Sequence, residues 1–145
     1  MTQLYVDTNA FLARFNRQDN LYEVIKPSWQ TIMQKKTRLI TTNEVVCQTL
    51  SRVAMKESPE LAATVGRLLL NFRQLTIEPV TRQDQLEAFK LLKKFSDQAI
   101  GYTDCPSFAV MQRLGLQQVF SQDHHFAIAG FELWPGKIRT RRKKR

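Results

Sequence analysis

The 145 residues carry 22 Lys and Arg against 13 Asp and Glu, a formal net charge of +9, with 43% hydrophobic residues and two Cys. That length suits a single domain with its own core, and no stretch approaches the roughly 20 uninterrupted apolar residues that cross a bilayer, so a membrane-spanning protein is set aside. Cys47 and Cys105 have no CxxC or Cys/His spacing, which sets aside zinc and redox chemistry and leaves two reduced, partly buried small side chains.

The charge is unevenly placed. Lys137, Arg139, Arg141, Arg142, Lys143, Lys144 and Arg145 are seven of the 22 bases, leaving 15 against 13 acids, or +2, for residues 1–136. The chain therefore divides into a folded domain over 1–136 and a basic, disordered tail over 137–145. The tail is either a solubilising end or an RNA-binding arm that contacts phosphates. The amino terminus runs straight into a strand with neither a basic start nor an apolar leader, which points to a cytoplasmic protein.

In chain order, Leu4-Tyr5-Val6 reads as a short buried strand that stops on Asp7. Residues 8–15 have helical spacing at Phe11, Leu12 and Phe15, with Thr8 or Asn9 placed to cap the start. Residues 21–36 are helical again, but Pro27 lacks an amide donor and predicts a break or kink there. Leu39-Ile40-Thr41 is the second strand. Thr42 and Asn43 cap the helix that follows, with Glu44 in its first turn. Ser58-Pro59 starts a helix that runs to about Phe72 and forms a hairpin with the one before it. Residues 75–80 make the third strand, Pro79 marking its end or an edge position. Thr81 and Asp84 resemble a capping box, followed by an apolar stripe of Leu86, Phe89, Leu92 and Phe95 expected to face the core. A helix spans about 104–114, with Pro106 in its first turn and Gly115 at its end. Residues 119–121 form the fourth strand, 123–129 a short helix, and 131–134 a small last strand. Strand and helix alternate, which predicts an α/β fold with a parallel sheet and helices on both faces.

This topology sends four acids to one edge. Asp7 and Asp123 lie past strand ends, and Glu44 and Asp104 lie in the first turns of helices leaving those ends. Carboxylates gathered this closely repel unless a cation neutralises them, and an oxygen-only set suits Mg²⁺ or Mn²⁺. Such an ion keeps positions open for a phosphate and a nucleophilic water, so phosphodiester hydrolysis is the expected chemistry. In this scheme Asp7 and Asp104 bind the metal, Asp123 completes the shell or a second ion, and Glu44 holds or helps deprotonate a water. Thr8 and Ser121 are expected behind these ligands, the Ser121 hydroxyl bonding to a ligand carboxylate. His124 and His125 are adjacent, so a helix would point them about 100° apart, a poor acid/base pair, and at least one should face solvent.

Asp7-Thr8-Asn9, Thr42-Asn43-Glu44, Tyr102-Thr103-Asp104-Cys105-Pro106-Ser107-Phe108-Ala109, Phe120-Ser121-Gln122-Asp123-His124-His125-Phe126 and Gly130-Phe131 together resemble a PIN-domain ribonuclease of the VapC toxin type. The likeness spans nearly all of the chain up to Pro135, and departs from the family pattern at Cys105-Pro106 and in the tail. It implies a three-layer PIN-like sandwich around a parallel sheet of about five strands. It also implies a divalent-metal site built from the four acids, cleavage of RNA, a homodimer, and inhibition by a small antitoxin. Three other readings remain. One is an RNA-processing nuclease with no antitoxin. Another is a non-catalytic RNA-binding domain. The third is an aspartyl-phosphate phosphatase, which needs a second acid two residues after Asp7, where this chain has Asn9.

Overall fold

Leu4, Tyr5 and Val6 are wholly excluded from solvent, and the strand they form is the middle of the sheet. The structure is a computed structural model that describes residues 3–136; the basic segment 137–145, with the arm expected there, lies outside the described residues. Strand β1 (Gln3–Val6) pairs with β2 (Arg38–Thr42) on one side and β4 (Gln118–Phe120) on the other. Strands β3 (Leu75–Glu78) and β5 (Glu132–Trp134) form the edges, every pairing is parallel, and the order is β3-β2-β1-β4-β5. The expected five-stranded parallel sheet is therefore present. Its order reverses between β1 and β4, and at such a switch point the chains leave the carboxyl ends in opposite directions and open a crevice.

Alternation along β1 decides which helices cover which face. Tyr5, in register with Val119, points to the side where its hydroxyl donates to Ser107 Oγ at 2.7 Å and its ring meets Phe126. Ser107 belongs to helix α6 (Cys105–Leu114) and Phe126 to α7 (His124–Ile128). Val6, in register with Phe120, points the other way, where the Phe120 ring lies 5.0 Å from Trp29. Trp29 sits on α2 (Tyr22–Lys35) and donates its indole N–H to the Ala10 carbonyl of α1 (Thr8–Phe15). Helices α3 (Asn43–Lys56) and α4 (Pro59–Asn71) form the expected hairpin, and α5 (Arg82–Lys94) packs against α6. Among the described residues no helix is long and apolar enough to cross a membrane.

Several local expectations are corrected. Helix α2 does not break at Pro27 but runs through it. Glu23 and Pro27 are both exposed, so water can satisfy the carbonyl left without its amide, while Ile25, Ser28, Trp29 and Ile32 bury the opposite face. Neither Thr8 nor Asn9 caps α1; Asp7 holds the cap position without a side-chain cap bond, and both neighbours bond elsewhere. Thr42 does cap α3, accepting from the Val45 N–H, but Asn43 accepts from the Val80 N–H instead and ties α3 to the segment after β3. The capping box at Thr81 and Asp84 forms as expected. The stripe behind it is divided: Leu92 and Phe95 pack on the core as expected, whereas Leu86 and Phe89 are 42% and 49% exposed, and α5 buries Asp84, Ala88 and Leu91. The small Ala88 faces inward while Leu86 and Phe89 are turned outward. Cys105 is buried, its thiol directed to the Gly101 carbonyl, whereas Cys47 is exposed rather than partly buried.

Asp84 shows why that rotation is stable. Burial pushes its carboxyl up, but the Arg113 guanidinium and the Thr81 amide and hydroxyl outweigh this and hold it below the usual carboxylate range. Arg113 donates through Nε and Nη2 at 2.8 and 2.9 Å, and through Nη1 to Glu78, tying α6 to both α5 and β3. Asp84→Ala should therefore destabilise the domain by about 2 kcal/mol or more, since the charged bonds and half of the capping box are lost together. Because the folded pKa is depressed, this contribution is present above the ordinary carboxylate pKa and disappears as pH falls through the lower folded value. Urea unfolding of both proteins across acidic pH checks it; a gap that does not narrow on acidification would refute the ion-pair explanation.

Candidate active site

The crevice at the switch point collects three of the acids. Asp7 follows β1 directly, and its N–H donates to the Phe120 carbonyl of β4, locking together the two strand ends that diverge there. Its carboxylate, 8% exposed, accepts the Ser121 hydroxyl at 3.1 Å. Burial pushes the Asp7 carboxyl up to about 7, Asp104 and Asp123 add to the rise, and the Thr8 amide and Ser121 hydroxyl offset only part of it. Among the described residues no Lys or Arg pairs with it.

Ser121, wholly buried, uses its full hydrogen-bonding capacity. It donates to Asp7 and accepts from Asn9 Nδ2 at 3.1 Å and from the Asp123 N–H at 3.0 Å. β4 has already ended at Phe120, so this geometry comes from the loop rather than from strand alternation. Asn9 also accepts from the Gln122 N–H, which fixes the loop across the start of α1. Thr8 donates its hydroxyl to Gln48 Oε1 of α3 at 3.1 Å.

Asp104 closes the 3-10 turn Tyr102–Asp104 and occupies the cap position of α6 without capping it, so its carboxylate is available. Burial raises its pKa, Asp123 raises it further, and His125 lowers it. His125 Nδ1 lies 3.1 Å from Asp104 Oδ2 and 3.4 Å from Asp123 Oδ1, bridging the two acids. Asp123 caps α7 by accepting from the His125 N–H at 2.9 Å, which holds this imidazole beside the carboxylate. His124 is 76% exposed, so one histidine faces solvent as expected and the other does not. Asp123, His124 and His125 also present ligand atoms all within 4.8 Å of one another.

Glu44 is carried by a different element, helix α3. It is half-buried in the first turn of α3, and its charge acts on the hydroxyls of Tyr5 and Tyr102. The buried Tyr5 hydroxyl also feels the charge of Asp7. His125 and Asn9 are the site residues that sequence reasoning missed. A residue two places after a helix-capping acid is held against that acid's carboxylate, and this was the available signal for His125.

The match to known proteins follows this geometry. Residues 4–132 fit the family model described as the PIN domain. The chain belongs to the PIN-domain family. Within it, the chain is 26% identical over 128 residues to the 23S rRNA-specific endonuclease VapC20 of Mycobacterium tuberculosis, covering 88% of this chain and 95% of that one. The crystal structure of that VapC20, a sarcin–ricin loop cleaving toxin, superposes with a TM-score of 0.80 at 24% identity, again over 88% and 95% of the two chains. VapBC2 from Rickettsia felis, bound to a DNA fragment of its promoter, superposes with a TM-score of 0.68 at 12% identity over 91% and 97%. The resemblance to a PIN domain read from the motifs is thus established, and its fold with it.

Proposed function

We propose that this PIN-domain protein is a divalent-metal-dependent endoribonuclease, the toxin of a toxin–antitoxin pair. The observation that carries the reading is Asp7: a buried carboxylate with no Lys or Arg partner among the described residues, facing Asp104 and Asp123 at the switch-point crevice. The donor set fits a hard divalent ion such as Mg²⁺ or Mn²⁺, because among the described residues no Lys or Arg pairs with these carboxylates. Asp7, Asp104 and Asp123 would hold it, with Glu44 assisting the attacking water. When bound, such an ion polarises a phosphoryl oxygen and makes water acidic enough to supply a nucleophile near neutral pH. Ser121 keeps Asp7 oriented, and Asn9 in turn keeps Ser121 oriented. Thr8 supports the start of α1 through Gln48.

RNA is the substrate class, with 23S rRNA the first to test in view of the VapC20 likeness. A small antitoxin, a homodimer and a cytoplasmic setting complete the reading, with residues 1–136 as the nuclease domain. Cleavage of a defined oligonucleotide tests the chemistry. Water attack should leave a 5′-phosphate and a 3′-hydroxyl, tolerate a 2′-deoxy substitution at the cut, and stop in chelator. Cyclic phosphate ends, with loss of cleavage on 2′-deoxy substitution, would move catalysis to His124 and His125.

Lys137, Arg139, Arg141, Arg142, Lys143, Lys144 and Arg145 are proposed as an RNA-binding arm. Deleting 137–145 should weaken RNA binding and flatten the slope of log affinity against log salt by roughly 0.7 per lost phosphate contact. An unchanged slope would assign the tail to solubility.

A further inference from the structure

Helix α5 and the turn Tyr102–Asp104 hold two aromatic rings that the core does not use. Phe89 is 49% exposed and Tyr102 37%, yet their ring centroids are 5.6 Å apart at an interplanar angle of 29°, a stacked pair. Among the described residues, no other stacked or tilted ring pair has both members exposed. The pair borders the acid cluster. Tyr102 shares its turn with Asp104 two residues on, and Glu44 lies near enough for its charge to act on the Tyr102 hydroxyl. On α5, Leu86 and Lys93 fall on the same helix face as Phe89, one turn to either side. Lys93 is exposed and has no acidic partner among the described residues, whereas Lys90 is paired with Glu87.

We propose that Phe89 and Tyr102 form a stacking platform for an unpaired nucleobase of the RNA held at the acid cluster, with Lys93 contacting an adjacent phosphate. This rests on the ribonuclease reading and extends it to how substrate is held. A flat aromatic surface beside a lone cation matches a single strand, which alternates a π face with a negative phosphate, and every base offers such a face. Duplex RNA keeps its bases stacked on one another and cannot present one to the platform. The platform therefore selects loops, bulges and ends, and leaves base identity to other contacts.

The test compares a fluorescent mixed-sequence single strand of about 12 nucleotides with an all-abasic ribose-phosphate strand of equal length, bound by the full-length protein in chelator. Wild type should prefer the base-bearing strand by roughly 5- to 150-fold. Phe89→Ala and Tyr102→Ala should each remove most of that preference while leaving affinity for the abasic strand unchanged, and Tyr102→Phe should keep it. Phe89→Leu, which retains apolar packing without an aromatic face, should behave like Phe89→Ala. Equal losses on both strands, or none on either, would overturn the platform. So would a change from dimer to monomer in Tyr102→Ala at unchanged RNA preference, which would assign the pair to contact between copies. Wild type that cleaves RNA with Mg²⁺ but shows no preference for bases defeats this inference alone, whereas wild type that neither binds nor cleaves RNA defeats the ribonuclease reading itself.

Discussion

Replacing Asp7 with Asn should lower RNA cleavage by on the order of 1000-fold, the several kcal/mol of transition-state stabilisation that a bound metal supplies. The same change should raise the stability of the metal-free protein. Wild type buries this carboxyl with no Lys or Arg partner among the described residues and with Asp104 and Asp123 nearby, so it is pushed up to about 7. Asn removes that charge and still offers an oxygen to the Ser121 hydroxyl. The sign follows from linkage: a raised carboxyl pKa penalises the folded state as pH rises above the ordinary value of 3.8, and the penalty levels off above about 7. At pH 8 in chelator, Asn should be more stable by on the order of 2–4 kcal/mol, and the two proteins should converge below pH 4 or so. Thermal unfolding in chelator, beside a cleavage assay with Mg²⁺, measures both effects. Equal melting temperatures at pH 8 would mean that Asp7 is already neutralised within the protein, and the argument for a metal there would fail.

The second large effect is expected far from the chemistry. Helix α7 has five residues, too few to be stable alone, and it carries His125 two residues after the cap Asp123. It is held by Phe126, which is wholly buried against Tyr5, Phe108 and Phe131, with the Phe108 ring edge-on at 5.1 Å. Phe108 lies on α6, one turn past Asp104, so this ring pair sets the spacing between the elements that present Asp104 and Asp123. Phe126→Ala should cost about 3–5 kcal/mol, the transfer energy of the ring plus the cavity left behind. Cleavage should fall even where the variant remains folded, because the Asp104–His125–Asp123 bridge loses its support. Urea unfolding and a cleavage assay at low temperature check the two parts. A cost below about 1 kcal/mol would show that α7 is anchored by something other than this ring.

What sequence alone determined follows from periodicity and local chemistry. The run Leu4-Tyr5-Val6 before Asp7, the alternation of strands with helical spacing, the Ser58 cap and the Thr81/Asp84 box are written in neighbours a few residues apart, and all are present in the fold. Asp7, Glu44, Asp104 and Asp123 could be named for the same reason, since each closes a strand or opens a helix. Tertiary structure decided what depends on distant partners. It placed β1 between β2 and β4, which puts Asp7 and Ser121 in contact across 114 positions of sequence. It turned Phe89 outward while Asp84 is held to Arg113 of α6, and it carried α2 through Pro27 because a buried face outweighed one missing exposed bond. It also put His125 between Asp104 and Asp123. Local propensities are worth a fraction of a kcal/mol per residue, while burying a large side chain or pairing a buried charge is worth several times that, so wherever the two disagreed packing prevailed.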